Sequence, residues 1–275
     1  MRGWMVVTVV GLLLAGCGSE APAATRAPLL DPIPSVDIPA ATTTTTPAPT
    51  TTTSPAPPRE EVVVVLNPGH NGGNAASPDV INAQVPAGGG QVKACDTTGT
   101  QTNAGYPEHA FTWDVTQRVR AVLAAKGVTV VLTRENDTGV GPCVDERTAI
   151  GNRANAAAVV SIHADGSEAA GANGFHVAYP APALNEAQGE PSARLASVLR
   201  DGMVAAGFSP ANYIGRDGLD GRDDLAGLNL SERPAVFVEC GNMRDAAEAA
   251  VLSSEDGKQR YANAIAASIL TYVGR

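Results

Sequence analysis

Four side chains of this 275-residue sequence combine metal-binding or acid–base chemistry with positions at the ends of apolar segments. They are His70, Glu108, His163 and Glu239. Imidazole nitrogens and carboxylate oxygens are typical ligands of zinc, and a catalytic zinc site takes three protein ligands and leaves a fourth position for water. His70, Glu108 and His163 are therefore candidate zinc ligands. The alternative remains open here that both histidines are turn residues and that Glu108 only favours a helix N-terminus.

The two histidines follow the same kind of element. The run VVVVLNPGH at 62–70 and the run AVVSIHADGS at 158–167 are short, apolar and bounded by turn residues, which predicts strands buried in a sheet. Ligands of open α/β sheets bind at the carboxyl edge of the strands. We therefore expect His70 and His163 to meet at that edge.

Glu108 opens a predicted helix. Pro107 suits the first helical position, and Gly127 suits the stop. Apolar residues recur at helical spacing after the glutamate, so its carboxylate stands at the head of the buried face. These residues are Phe111, Val115, Val119 and Val122.

Glu239 ends the apolar run PAVFVECG and has no basic neighbour in the local sequence. A carboxylate is costly to bury there unless it is paired, protonated or hydrogen-bonded. We predict that it is the catalytic general base that deprotonates water. The alternative is a glutamate at the exposed edge of the sheet.

Two further histidines and one acidic segment receive smaller roles. His176, in GFHVAY, is predicted to face the cleft and to bind substrate or stabilise an oxyanion. His109 points about 100° around the helix from Glu108, which favours a solvated or supporting role. The segment 217–224, DGLDGRDD, lacks the spacing of a calcium loop and is predicted to be a solvated loop near the groove rim.

The order of these motifs resembles one known family. A strand ending in PGH is followed by PE at a helix start, LTRE, a later ER, NRAN, SIHAD and a final strand PAVFVECG. In that order the motifs resemble the zinc-dependent N-acetylmuramoyl-L-alanine amidases of bacterial cell-wall turnover, over most of 61–275. The terminal motif departs from the commoner pattern: it reads VECGNMRD, whereas many relatives carry an aromatic residue after the glycine. This departure bears on the fine shape of the substrate groove and touches none of the proposed ligands.

The resemblance implies a peptidoglycan hydrolase. Its substrate bond would be the amide between the lactyl group of N-acetylmuramic acid and the L-alanine of the stem peptide. The family roles fall on His70, Glu108 and His163 as zinc ligands and on Glu239 as the catalytic glutamate that acts on zinc-activated water. Two other functions stay open, a zinc peptidase that cuts within the stem peptide and a catalytically silent glycan-binding lipoprotein.

The N-terminal part predicts export. The apolar stretch 4–15 suits a signal peptide, and LAGC at 14–17 resembles a bacterial lipobox. We therefore interpret 1–17 as a lipoprotein-type signal peptide, with a lipid anchor at Cys17 on the outer face of the cytoplasmic membrane. The alternative is ordinary cleavage and secretion. The Ala/Pro/Thr-rich segment 18–60 predicts a disordered tether.

Residues 61–275 predict the catalytic domain, a single α/β domain with a mostly parallel central sheet of about five or six strands flanked by helices. Strands are predicted near 61–66, 128–133, 157–162, 173–179 and 235–239, and helices near 107–126, 144–156, 190–206 and 257–273. Cys95 and Cys143 lie in loop-like segments and could form a disulfide in an exported protein. The net charge of −9 argues against a nucleic-acid partner, and we expect a monomer.

Overall fold

The computed structural model describes residues 61–275, so the predicted signal peptide 1–17 and tether 18–60 lie outside the described residues. The strands are β1 (Val63–Pro68), β2 (Gln84–Gly88), β3 (Gln91–Ala94), β4 (Thr129–Leu132), β5 (Ala158–Asp165), β6 (His176–Pro180), β7 (Leu219–Arg222) and β8 (Ala235–Asn242). The α-helices are α1 (Pro78–Ile81), α2 (Glu108–Ala125), α3 (Val144–Arg153), α4 (Glu190–Ala205), α5 (Ala226–Asn229), α6 (Ala246–Ser253) and α7 (Glu255–Val273).

Six strands form one sheet in the order β4-β1-β5-β8-β6-β7. The first four are parallel to one another, whereas β6 runs antiparallel to β8 and parallel to β7. The predicted α/β class with a mostly parallel sheet of about five or six strands is therefore confirmed, and the number of strands is six. Within 61–275, no helix is both long and apolar enough to cross a bilayer.

Each face of the sheet packs against a different set of helices. Helices α2, α4 and α7 bury the larger core, in which Val64 and Leu66 of β1 meet Phe111 of α2. The opposite face carries a smaller core, where Val65 and Val159 pack beside Leu228 of α5. Successive residues of β1 thus point to opposite, equally buried faces, which explains its unbroken valine run.

The structure corrects the sequence prediction for two segments. Residues 217–224, predicted as a solvated loop, contain the edge strand β7, because the backbone of 219–222 pairs with β6 despite its aspartates and glycine. The stretch between β1 and α2 contains the antiparallel hairpin β2–β3, which the sequence analysis did not predict.

The predicted disulfide between Cys95 and Cys143 is present. It joins the end of the hairpin to the residue that caps α3, and the Val144 amide also donates a hydrogen bond to the Cys95 carbonyl at 2.8 Å. Cys240 is a free, buried thiol.

Candidate active site

Three of the predicted residues form one cluster at the carboxyl edge of the sheet. His70 follows β1, His163 lies near the end of β5, and Glu108 is the first residue of α2. One ligand atom from each lies within 4.8 Å of the others. Residues that are 38 to 93 positions apart in the chain therefore meet, as the strand and helix predictions required.

The carboxylate of Glu108 lies between the two imidazoles. Its Oε2 is 3.2 Å from His70 Nε2, and its Oε1 is 3.0 Å from His163 Nδ1. Each oxygen also accepts a backbone hydrogen bond, Oε2 from Thr100 at 2.9 Å and Oε1 from Ala164 at 3.2 Å. The side chain is thus held in one orientation, and it is only 4% exposed.

The charges of this cluster fit a cation. Burial opposes the charged form of His70, but the carboxylates of Glu108 and Asp96 outweigh it and raise the pKa of His70 to about 10. Burial likewise opposes the charged form of Glu108, and the neighbouring histidines still lower its pKa. The buried carboxylate that stabilises the proton on His70 is equally suited to stabilise a metal ion. Metal binding would release that proton, because ligand histidines bind metal in the neutral form. The donor set of two nitrogens and one carboxylate suits zinc.

The backbone around His70 is unusual. His70 adopts a positive φ of 57°, which is strained for a residue with a side chain. Its ring is fixed by neighbours of the hairpin end, because Nδ1 lies 3.1 Å from the Thr97 carbonyl oxygen and 3.3 Å from Asp96 Oδ1. These contacts leave Nε2 directed at the cluster, the arrangement typical of metal-binding histidines.

Gly69 makes room for the second histidine. A Cβ atom at this position would lie 2.3 Å from Cε1 of His163. The PGH motif therefore needs glycine before the histidine because of steric contact with the other ring.

Two buried arginines hold the turn that carries His70. Arg147 of α3 donates to the carbonyl oxygens of Pro68 at 2.7 Å and His70 at 2.9 Å, and it pairs with Asp96 at 3.1 Å. Arg134 donates to the carbonyl of Pro68 at 3.1 Å. Both arginines belong to the motifs LTRE and ER, which carried no predicted role for them. No local pattern around either arginine reveals that its target is the backbone of a distant turn.

Glu239 lies beside this cluster. It occupies the position of β8 that pairs with His163 of β5, so the two side chains point to the same face of the sheet. Burial and the carboxylates of Glu108 and Asp165 raise its pKa well above the usual range. Its Oε2 is buried and has no hydrogen-bond partner in the described chain. A buried carboxyl group with a raised pKa and a free oxygen is a candidate for proton transfer.

A cavity of about 390 Å³ opens onto these groups. His70, Glu108, His163 and Glu239 all line it, together with Lys93 of the hairpin.

His176, by contrast, is not among its lining residues and is 3% exposed. It pairs with Glu239 across β6 and β8, and its Nδ1 is buried without a hydrogen-bond partner among residues 61–275. His109 lies outside the cluster, with Nδ1 2.8 Å from Asp137 Oδ2.

A family model described as N-acetylmuramoyl-L-alanine amidase matches residues 64–271. The chain belongs to the N-acetylmuramoyl-L-alanine amidase family. It is therefore an amidase of the bacterial cell wall, as the motif order indicated, and its substrate is peptidoglycan. A cell-wall substrate makes it an exported or envelope protein. Zinc dependence is typical of the family.

Individual amidases are similar to this chain over most of the described residues. The N-acetylmuramoyl-L-alanine amidase Rv3717 of Mycobacterium tuberculosis is 50% identical over 212 residues, which cover 77% of this chain and 86% of that protein. The crystal structure of the amidase Ami1 from Mycobacterium smegmatis is 51% identical, with a TM-score of 0.75, and the match covers 78% of this chain and 97% of that one. The amidase AmiC2 of Nostoc punctiforme is 27% identical, with a TM-score of 0.59, over 78% of this chain and 98% of its own.

Proposed function

We propose that this amidase hydrolyses the bond between the lactyl group of N-acetylmuramic acid and L-alanine with a zinc ion held by His70, Glu108 and His163. One observation supports this most: a ligand atom from each of the three side chains lies within 4.8 Å of the other two, and Glu239 lines the same cavity. A zinc ion at this position would lower the pKa of a water molecule and polarise the scissile carbonyl.

Glu239 is the proposed general base. Its raised pKa and its unpartnered Oε2 suit it to take a proton from the attacking water. The same oxygen then gives that proton to the nitrogen of L-alanine as the amide bond breaks. The products are a free lactyl carboxylate on the sugar and a peptide with a new amino terminus.

His176 stays a predicted substrate-binding residue. Its buried position opposite Glu239 favours a second role, in which it restricts the orientation of the glutamate. In that role, replacing it would lower kcat more than it would change KM.

The N-terminal part is proposed to anchor the enzyme. Residues 1–17 would be a lipoprotein signal, Cys17 the lipidated first residue, and 18–60 a tether at whose end a monomeric catalytic domain reaches the wall. Mass spectrometry of the mature N-terminus tests this, because lipidated Cys17 and a freely secreted chain have different masses.

Product analysis tests the reaction itself. Purified enzyme is incubated with zinc and a defined muramoyl peptide. An amidase releases the intact peptide with L-alanine at its amino terminus. Shorter peptide fragments would indicate a stem-peptide peptidase, and binding without any product would indicate a silent glycan-binding protein.

A further inference from the structure

A second cavity adjoins the metal cavity and is polar. It encloses about 700 Å³, and it shares Gly99, Thr100, Asp165 and Gly166 with the metal cavity. The shared residues make the two cavities continuous at one boundary. A substrate bound at the metal cavity therefore has the second cavity directly beside it.

Arg244, in the turn after β8, lines this second cavity. Its Nε is buried and has no hydrogen-bond partner in the part of the chain that the structure describes. Its Nη1 makes only a long contact of 3.4 Å with Asn103 Oδ1. A buried guanidinium donor without a partner is unfavourable until another group accepts from it.

No carboxylate of residues 61–275 neutralises Arg244 by an ion pair. The acidic residue that lines the cavity, Asp165, is already engaged, because its oxygens accept from the Gly166 amide at 2.6 Å and from the Tyr213 hydroxyl at 2.8 Å. The other titratable group of the lining, His109, contacts Asp137 instead. The charge of Arg244 is thus available to a ligand.

We propose that Arg244 binds a carboxylate of the stem peptide and makes the enzyme selective for acidic stems. This rests on the proposed function. A planar guanidinium matches a carboxylate through paired hydrogen bonds. In the stem peptide, the residue that follows L-alanine is glutamate linked through its γ-carboxyl, so its α-carboxylate is free. That group is the first carboxylate of the stem peptide after the bond to be cut, and the cavity of Arg244 adjoins the metal cavity.

The test compares two muramoyl peptides that differ only in this group, one with the α-carboxylate and one with its carboxamide. We expect the wild-type kcat/KM to favour the carboxylate by about tenfold or more. In Arg244→Gln the ratio should fall to about one, mainly through a higher KM for the carboxylate substrate. Arg244→Lys should keep part of the preference, because an ammonium retains the charge but not the paired geometry.

Arg216→Gln is the matched control. It removes the same charge from an exposed arginine, 93% accessible, outside both cavities. This variant should keep the wild-type ratio. If Arg244→Gln is too unstable to assay, the intermediate ratio of Arg244→Lys decides the question.

Equal wild-type rates on the two substrates would overturn the proposal, and so would an unchanged preference in Arg244→Gln. A preference lost in Lys93→Gln instead would place the carboxylate at the hairpin and would also overturn it. If the wild type released peptide from neither substrate, the proposed function would fail, which is a distinct outcome.

Discussion

His163 and Glu239 are register partners on the adjacent parallel strands β5 and β8. One is a proposed zinc ligand and the other is the proposed base. Because paired residues of neighbouring strands point to the same face, the sheet itself fixes the distance between the two functions. The precision of the site therefore comes from the rigid centre of the sheet.

Removing a proposed ligand should remove the metal. His163→Ala is expected to purify without zinc and without activity, because the site keeps only two of its three protein ligands. His109→Ala is the control, since His109 contacts Asp137 and lies outside the cluster. It should retain about one zinc per chain. Elemental analysis of both proteins makes the comparison, and full zinc in His163→Ala would refute the assignment.

Gly69→Ala should disturb the site by steric contact alone. The added Cβ would lie 2.3 Å from the ring of His163, so that ring must move. We expect weaker zinc binding with an unchanged circular dichroism spectrum. Gly90→Ala controls for backbone effects, because a Cβ there meets nothing within 4 Å although φ is +78°. Equal zinc affinity in the two variants would contradict the packing argument.

Arg147 should contribute far more stability than its neighbour on the same helix. Arg147 and Asp96 are 4% and 5% exposed, so Arg147→Ala removes the guanidinium partner of a buried carboxylate and should cost about 3–5 kcal/mol in the free energy of unfolding. Arg153 and Glu146 are 61% and 50% exposed, and Arg153→Ala should cost less than about 1 kcal/mol. Chemical denaturation measures both losses in the free energy of unfolding. Similar losses would contradict the prediction that the buried ion pair stabilises the fold more than the exposed one.

The disulfide should stabilise the domain. Reduction of Cys95–Cys143, which closes a 48-residue separation, is expected to lower the free energy of unfolding by about 2–5 kcal/mol. Dithiothreitol should lower Tm in the wild type and leave the double variant Cys95→Ala/Cys143→Ala unchanged. Two free thiols in the unreduced protein, seen by mass spectrometry, would refute the bridge.

The sequence predicted the parts of the site that local patterns encode. His70 and His163 were found because each follows an apolar run with turn residues, and Glu108 because Pro107 marks a helix start. Their meeting followed from the rule that parallel strands share a carboxyl edge.

Other features depend on contacts that no local pattern encodes. Arg147 reaches backbone oxygens that lie 77 and 79 residues earlier in the chain, and nothing near it in sequence marks that target. Strand β7 was missed because backbone pairing at a sheet edge overrides the turn propensity of Asp and Gly. The position of Arg244 in a cavity beside the metal cavity depends on the folded chain, and no local sequence pattern encodes it.

The central claim is that Glu239 moves the proton at a site whose metal is held by other residues. Its most direct test is Glu239→Gln, assayed for zinc content and for peptide release from a defined muramoyl peptide. If Glu239 has this role, the variant should hold one zinc per chain, as in the wild type, with peptide release lowered by about 10²- to 10⁴-fold. Near-normal release by a zinc-loaded Glu239→Gln protein would contradict it.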